Sequence, residues 1–189
     1  MAKSGAVSST TFRDFCRSVT KATAALGTTS VAKADGTVVG FVMAAPMEIS
    51  TFPEHPPAGL EAMYGIVDAL KKELDKRPLK GPVIEITMGG INPAFQGGHI
   101  AADLVWVLLL DAYLKGFRTA MTVASSVGSQ TAYSMTAGFS TPVSLAYKDF
   151  EYNGTRPFAS IARPPSAKVM MGDLEAFHRR RKDRVRSRL

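Results

Sequence analysis

Val83-Ile84-Glu85-Ile86-Thr87-Met88-Gly89-Gly90-Ile91-Asn92-Pro93-Ala94-Phe95-Gln96-Gly97-Gly98-His99-Ile100-Ala101 reads as a strand that passes through a glycine-bearing loop straight into an apolar helix. The first backbone N–H groups of a helix lack intrahelical partners. They also lie at the positive end of the helix dipole, so the junction attracts an anion such as a pyrophosphate. Small residues in the loop let that anion approach the backbone.

The elements on either side follow from spacing and punctuation. A helix over about 99–115 has a centre, Leu104 to Leu110, that is apolar all round, which predicts burial on several sides. Gly116 stops it. Phe117 to Ala124 reads as a strand, and Val127 to Ala137 as a short helix ending at Gly138. Upstream, Leu60, Met63, Val67, Leu70 and Leu74 line one face of a helix at about 59–77, with Lys71, Lys72, Glu73, Asp75 and Lys76 solvated. Pro46, Pro53, Pro56 and Pro57 mark a loop before it. Asp35-Gly36 signals a hairpin between strands 28–33 and 37–43. An amphipathic helix over about 11–26 precedes it, with capping-box-like spacing at Thr11 and Asp14 and Gly27 at its end. Downstream, Tyr152-Asn153-Gly154 predicts a second hairpin between 143–150 and 155–161, and Asp173 caps a last helix. Hairpins flanking one strand–helix–strand crossover predict a mixed sheet with helices packed on it.

The chain has 189 residues, 46% hydrophobic and 21% charged, which predicts one soluble domain able to bury a full core. Its longest apolar run, bounded by Asp103 and Asp111, is far short of the ~20 residues of a membrane span. The first eight residues carry no signal-peptide core and read as disordered. One cysteine, Cys16, allows no internal disulfide; it lies on an apolar helix face and predicts a cytoplasmic, reducing setting. Three histidines without ligand spacing predict no metal site. Of the net charge of +7, the segment 179–189 carries all but one unit, so the basic character belongs to a tail. The organisation is a disordered 1–8, a domain over 9–172 and a basic helix or tail over 173–189. That tail reads as a solvated end, a nucleic-acid contact or a contact for an acidic partner. It carries no interleaved aromatics for stacking on single strands.

With this order in hand, residues 28–162, most firmly 83–139, resemble the GNAT N-acetyltransferase superfamily. The carriers are Ile91-Asn92-Pro93 at the strand end, the loop Gln96-Gly97-Gly98-His99-Ile100-Ala101, the buried helix, and Gly138-Phe139 before a hairpin. The resemblance implies an α/β (α+β mixed) fold: a central, mostly antiparallel sheet with helices on both faces. His99 stands where the motif's first glycine does, so its Cβ crowds a pyrophosphate or its imidazole contacts one. The family's first strand has little room before the first helix. The family's tyrosine lies four residues before the Gly-Phe glycine; Ser134 holds that place, and Tyr133 is one residue earlier, a helix rotation of about 100°.

The resemblance further implies acetyl transfer from acetyl-CoA to a primary amine. The amides of Gln96, Gly97, Gly98, His99, Ile100 and Ala101 would hold the pyrophosphate. Met88, Gly89, Gly90 and Ile91 would bond the pantetheine arm, with Gly89-Gly90 marking a bulge or close approach. Glu85, a lone carboxylate in an apolar strand, reads equally as the base that deprotonates the amine or as a hydrogen-bonded surface carboxylate; its spacing from Gln96 matches the histone-acetylating branch. Tyr133 reads as the acid that reprotonates the CoA thiolate or as a packing tyrosine. Ser129 and Gln130 contact pantetheine or cap a helix. Met47, Glu48, Phe52, Glu54 and Tyr64 are candidates to line the acceptor's entry. The alternative is a CoA-binding protein without catalysis whose basic tail engages a polyanion. Rossmann and P-loop folds lack their motifs here.

Overall fold

The computed structural model describes residues 7–97 and 99–186. In chain order these form α1 (Ser9–Ala24), β1 (Thr29–Ala34), β2 (Thr37–Pro46), α2 (Glu61–Leu74), β3 (Val83–Ile91), α3 (Ile100–Leu114), β4 (Thr119–Ala124), α4 (Val127–Ala132), β5 (Ser140–Ala146), β6 (Ser166–Asp173) and α5 (Leu174–Arg186). The strands build one sheet in the order β1-β2-β3-β4-β6-β5. Only the β3–β4 pair is parallel, because α3 crosses over between them. The Asp35-Gly36 hairpin forms as expected: both residues take positive φ, 49° and 79°, as a two-residue turn of matching twist requires. The α+β expectation and the helices on both faces hold.

Strand alternation sorts the core. Val42, Ala44, Ile84, Ile86, Ala120 and Ala124 face α3 and α5, where Leu104, Leu108, Leu109 and Phe177 cover them. Val83, Met121, Ala167 and Val169 face the other way, onto Ile66, Leu70 and Leu74 of α2. On that same side α1 lays Phe15 and Val19 beside Leu60, Phe52, Tyr64 and Met88.

Several expectations are corrected. Ser8, not Thr11, caps α1: its hydroxyl accepts the Thr11 amide at 3.0 Å. Val7 packs against the Phe15 cluster. Residues 1–6 and 187–189 lie outside the described residues. No strand precedes α1 among the described residues. The burial of α3 on several sides holds, with Leu104, Val105, Leu108, Leu109 and Ala112 buried, while Val107 is 50% and Leu114 71% exposed. The helix lies on the sheet and against α5 through Trp106 and Phe177, which leaves its third flank to solvent.

The second hairpin is not the expected one. Asn153-Gly154 does close a turn, with Tyr152 and Thr155 bonded in both directions at 2.8 and 3.0 Å. The arms do not continue as a ladder. Pro157 lacks an N–H, and Phe150, Tyr152 and Phe158 pack toward α2 instead. The strand partner of β5 is Ser166–Asp173, a segment the sequence reading left out. Asp173 caps α5 as expected, accepting the Ala176 amide at 2.9 Å.

Candidate active site

The strand β3 pairs with β2 as far as Ile91, but with β4 only from Val83 to Ile86. Beyond Ile86 the two parallel strands part. A bulge sits at the same height: Met88 opposes Met43 while Ile86 opposes Ala44, so Thr87 is the extra residue. Its hydroxyl donates to the Met43 carbonyl at 3.3 Å. The extra residue turns the end of β3 over, so Met88 joins the Phe15 cluster on the α1 side. Of the two alternatives at Gly89-Gly90, the bulge lies at Thr87 and the close approach remains. Gly90 lies under the Phe41 ring, where a Cβ would sit 3.0 Å from the nearest ring carbon.

From that open strand end the chain runs into a short turn, Pro93–Phe95, in which the Asn92 side chain accepts the Ala94 amide at 3.0 Å. Gly97 takes φ 90° and His99 φ 60°. His99 is the N-cap of α3, and its side chain makes no capping bond. The first helical bond, Asp103 N–H to His99 carbonyl at 3.0 Å, leaves the amides of Ile100 and Ala101 without helical partners. Gly98 lies outside the described residues. The His99 backbone is therefore the left-handed one a glycine adopts freely, at a cost of about 1–2 kcal/mol for a residue with a Cβ. His99→Gly is expected to stabilise the chain by roughly 0.5–1 kcal/mol, once glycine's larger unfolded-state entropy is subtracted. Urea titration of both proteins checks this.

Tyr133 is buried, stacked on Phe139 with ring centres 5.7 Å apart, in the core between the sheet and α3. Ser134, at the family's usual position, is exposed and donates to Thr131. The one-residue offset is absorbed locally. The helix widens into a π turn over Tyr133–Ala137, and Gly138 N–H reaches back five residues to the Tyr133 carbonyl. One extra residue per turn restores the tyrosine's inward direction. Burial pushes the Tyr133 phenol up to about 12, against a smaller lowering by its hydrogen bond with Thr122. The Thr122 hydroxyl donates in turn to the Ile86 carbonyl at 3.0 Å, the last residue before β3 and β4 part.

This shift has a sign in stability. Between about pH 10 and 12 a free tyrosine ionises while Tyr133 does not, so the unfolded chain gains. Tyr133's contribution is complete below pH 10 and falls by about 2–3 kcal/mol as pH rises through 12. Tyr133→Phe is expected to remove that part of the alkaline loss, read by chemical denaturation at pH 9 to about 12.

Glu85 lies on the opposite face of the sheet from Tyr133. Its carboxylate pairs with the Lys71 ammonium of α2 at 2.7 Å, with 9% of the glutamate and 28% of the lysine side chain exposed. Lys71, read as solvated, is corrected to a partner of the strand. Ser129 and Gln130 are both engaged within the fold. Ser126 and Ser129 form a reciprocal capping box. The Gln130 amide donates to the Ala124 and Ser166 carbonyls at 3.2 and 2.8 Å, tying the ends of β4 and β6 together. Phe52 and Tyr64 come together near Met88, whereas Met47 packs toward α2 and Glu54 is exposed. Among the described residues no cluster of three or more His, Cys, Asp or Glu side chains could hold a metal, and no helix is long and apolar enough to cross a membrane.

Solved structures share this architecture. The C-terminal condensation domain of Ebony, solved with β-alanyl-dopamine, superposes with a TM-score of 0.78 over 89% of this chain and 83% of its own, at 16% identity. Arylalkylamine N-acetyltransferase 2 from Aedes aegypti gives 0.69 over 82% and 77%, at 19% identity. The Drosophila melanogaster polyamine N-acetyltransferase, which forms N-acetylagmatine, gives 0.66 over 80% and 77%, at 20% identity. The chain has the GNAT fold. No protein-family model and no curated protein matches it in sequence. Within the GNAT fold, the parted β3 and β4 and the uncapped start of α3 occupy adjoining positions along one continuous segment.

Proposed function

We propose that the chain is an acetyl-CoA-dependent N-acetyltransferase for a primary amine. The observation that carries this reading is the open end of β3, Thr87–Ile91, which leads directly into the uncapped N-terminus of α3. The fold neighbours that act on arylalkylamines, and the one that forms N-acetylagmatine, support the reaction class. The fit of acetyl-CoA rests on this chain's own groups. Met88, Gly89, Gly90 and Ile91 pair with β2 on one edge and have no strand partner on the β4 edge, and the amides that alternate toward that open edge suit an amide-bearing pantetheine arm. The amides of Ile100 and Ala101, left without helical partners at the start of α3, suit a pyrophosphate. The positive φ of His99 keeps the α3 entrance open in the glycine-like conformation, with the imidazole exposed.

Acetyl-CoA supplies an activated acetyl group. The amine nitrogen bonds to the acetyl carbon, the carbon–sulfur bond breaks, and the nitrogen gives up a proton. Glu85, on the α2 side, takes that proton through water. A strand amide of β3 steadies the developing oxyanion. Tyr133 stays protonated and turns its one O–H from Thr122, whose own proton is given to Ile86, to the leaving thiolate. Its phenol lies well above an ordinary thiol's ~8.5, so donation is favoured over outright transfer.

The Lys71–Glu85 pair favours a second reading, in which the fold binds CoA without transferring acetyl. Thiol release from acetyl-CoA across an amine panel separates the two. Amine-dependent release supports the enzyme. CoA binding by calorimetry without release from any amine supports the binding protein and overturns catalysis.

A further inference from the structure

The basic run that reads as a tail in the sequence begins on α5, and its second residue, Arg180, turns back into the fold. Leu174 and Phe177 of α5 are buried in the core that holds Tyr133 and Phe139. Arg180 follows Phe177 by three residues, so it leaves the helix on that same side. A Cβ built on Gly138 would stand 2.7 Å from Arg180 Nη1 and 3.1 Å from Nη2, so the guanidinium fills the space that the glycine leaves. Gly138 ends the π turn at φ 64°. The last carbonyls of a helix have no amides ahead of them and lie at the negative end of its dipole, where an arginine is favoured.

Gly138 and Phe139 both give their amides to the Tyr133 carbonyl, the second at 3.2 Å. The Phe139 ring in turn occupies the space of a Cβ on Gly172 of β6. The Gly138-Phe139 pair is therefore gripped by β6 on one side and α5 on the other. Tyr133 is fixed to that pair twice, through its carbonyl and through its ring stack at 5.7 Å. A π turn is rare and has to be held by its surroundings. Resting on the acetyltransferase reading, we infer that Arg180 is a positioning residue for Tyr133: its guanidinium holds the end of the π turn, and the turn holds the phenol where it can reach the leaving thiolate. In this role Arg180 acts on the tyrosine through Gly138, and not on the acetyl group or the amine.

Three variants of the full chain test this. Arg180→Met keeps the stem and removes the charged fork, Arg180→Lys keeps the charge, and Arg179→Met removes the neighbouring charge as a control. Hydrogen exchange of the Gly138 and Phe139 amides, measured against the β4 amides, is read beside the kinetics of thiol release. In Arg180→Met both amides are expected to exchange at least about tenfold faster, and kcat to fall about tenfold with the KM for acetyl-CoA within about threefold. Arg180→Lys recovers part of both effects, and Arg179→Met changes neither. In a Tyr133→Phe background Arg180→Met costs no further kcat, because the two residues act as one unit. Unchanged exchange in Arg180→Met overturns the inference. So does faster exchange with kcat intact, or a raised KM with kcat intact, which puts the guanidinium on the cofactor's phosphates. If the unsubstituted chain releases no thiol with any amine, the transferase reading fails, while faster exchange confined to the Arg180 variants still upholds the anchor. Active transfer beside unchanged exchange does the reverse.

Discussion

Tyr133→Phe is expected to lower kcat for acetyl transfer about a hundredfold, in the range seen when a hydrogen-bond donor to developing charge is removed. The phenol adjoins Thr122, whose own hydroxyl bonds the carbonyl of Ile86 where β3 and β4 part. The substitution keeps the ring, so the 5.7 Å stack on Phe139 survives and the buried core loses no volume. The effect should fall on kcat, with the KM for acetyl-CoA changed by no more than about threefold, since a donor used only against the leaving thiolate adds nothing to ground-state binding. Steady-state kinetics at saturating amine decide it. An unchanged kcat would make Tyr133 a packing residue and take the thiolate donor out of the mechanism.

The second large effect divides between Glu85 and Lys71. Glu85→Gln removes the proposed proton acceptor and keeps the shape, so kcat/KM should fall about a hundredfold. Stability should change little by comparison, because Lys71 retains enough exposure to turn toward water. Lys71→Met is expected to act the other way. It leaves a nearly buried carboxylate without its cation, at about 2–3 kcal/mol. This is set below the ~3–5 kcal/mol of a fully buried pair because the lysine side chain is 28% exposed. Urea unfolding of both variants, beside their kcat/KM, separates the roles. If Glu85→Gln costs stability and leaves kcat/KM intact, Glu85 is a structural ion pair and the base lies elsewhere on the α1–α2 face.

The segment that decides the fold was legible because its signals are local. Val83–Ile91 is apolar but for Glu85 and Thr87, Asn92-Pro93 ends it, and glycines precede a long helix, so each boundary has its own residue type. The Asp35-Gly36 hairpin was legible for the same reason. What escaped depends on partners far away in sequence. The bulge at Thr87 exists only in relation to Met43 and Ala44. Lys71 looks like any solvated lysine until α2 is laid over β3. The strand Ser166–Asp173 is covered on both faces, so it lacks the alternation that marks a half-exposed strand. The π turn after α4 is a backbone adjustment that no residue in Tyr133–Ala137 announces, and it alone converts an apparent misplacement of Tyr133 into a buried one. The aromatic group of Phe15, Phe52 and Tyr64 joins three segments that spacing never connects.

The central claim is amine-dependent acetyl transfer at the open end of β3. Its most direct test is thiol release from acetyl-CoA in the presence of primary amines, with the product identified by mass. The account predicts release that depends on the amine and a product carrying one added acetyl group on nitrogen. Tight CoA binding with no release from any aryl or aliphatic amine would contradict it.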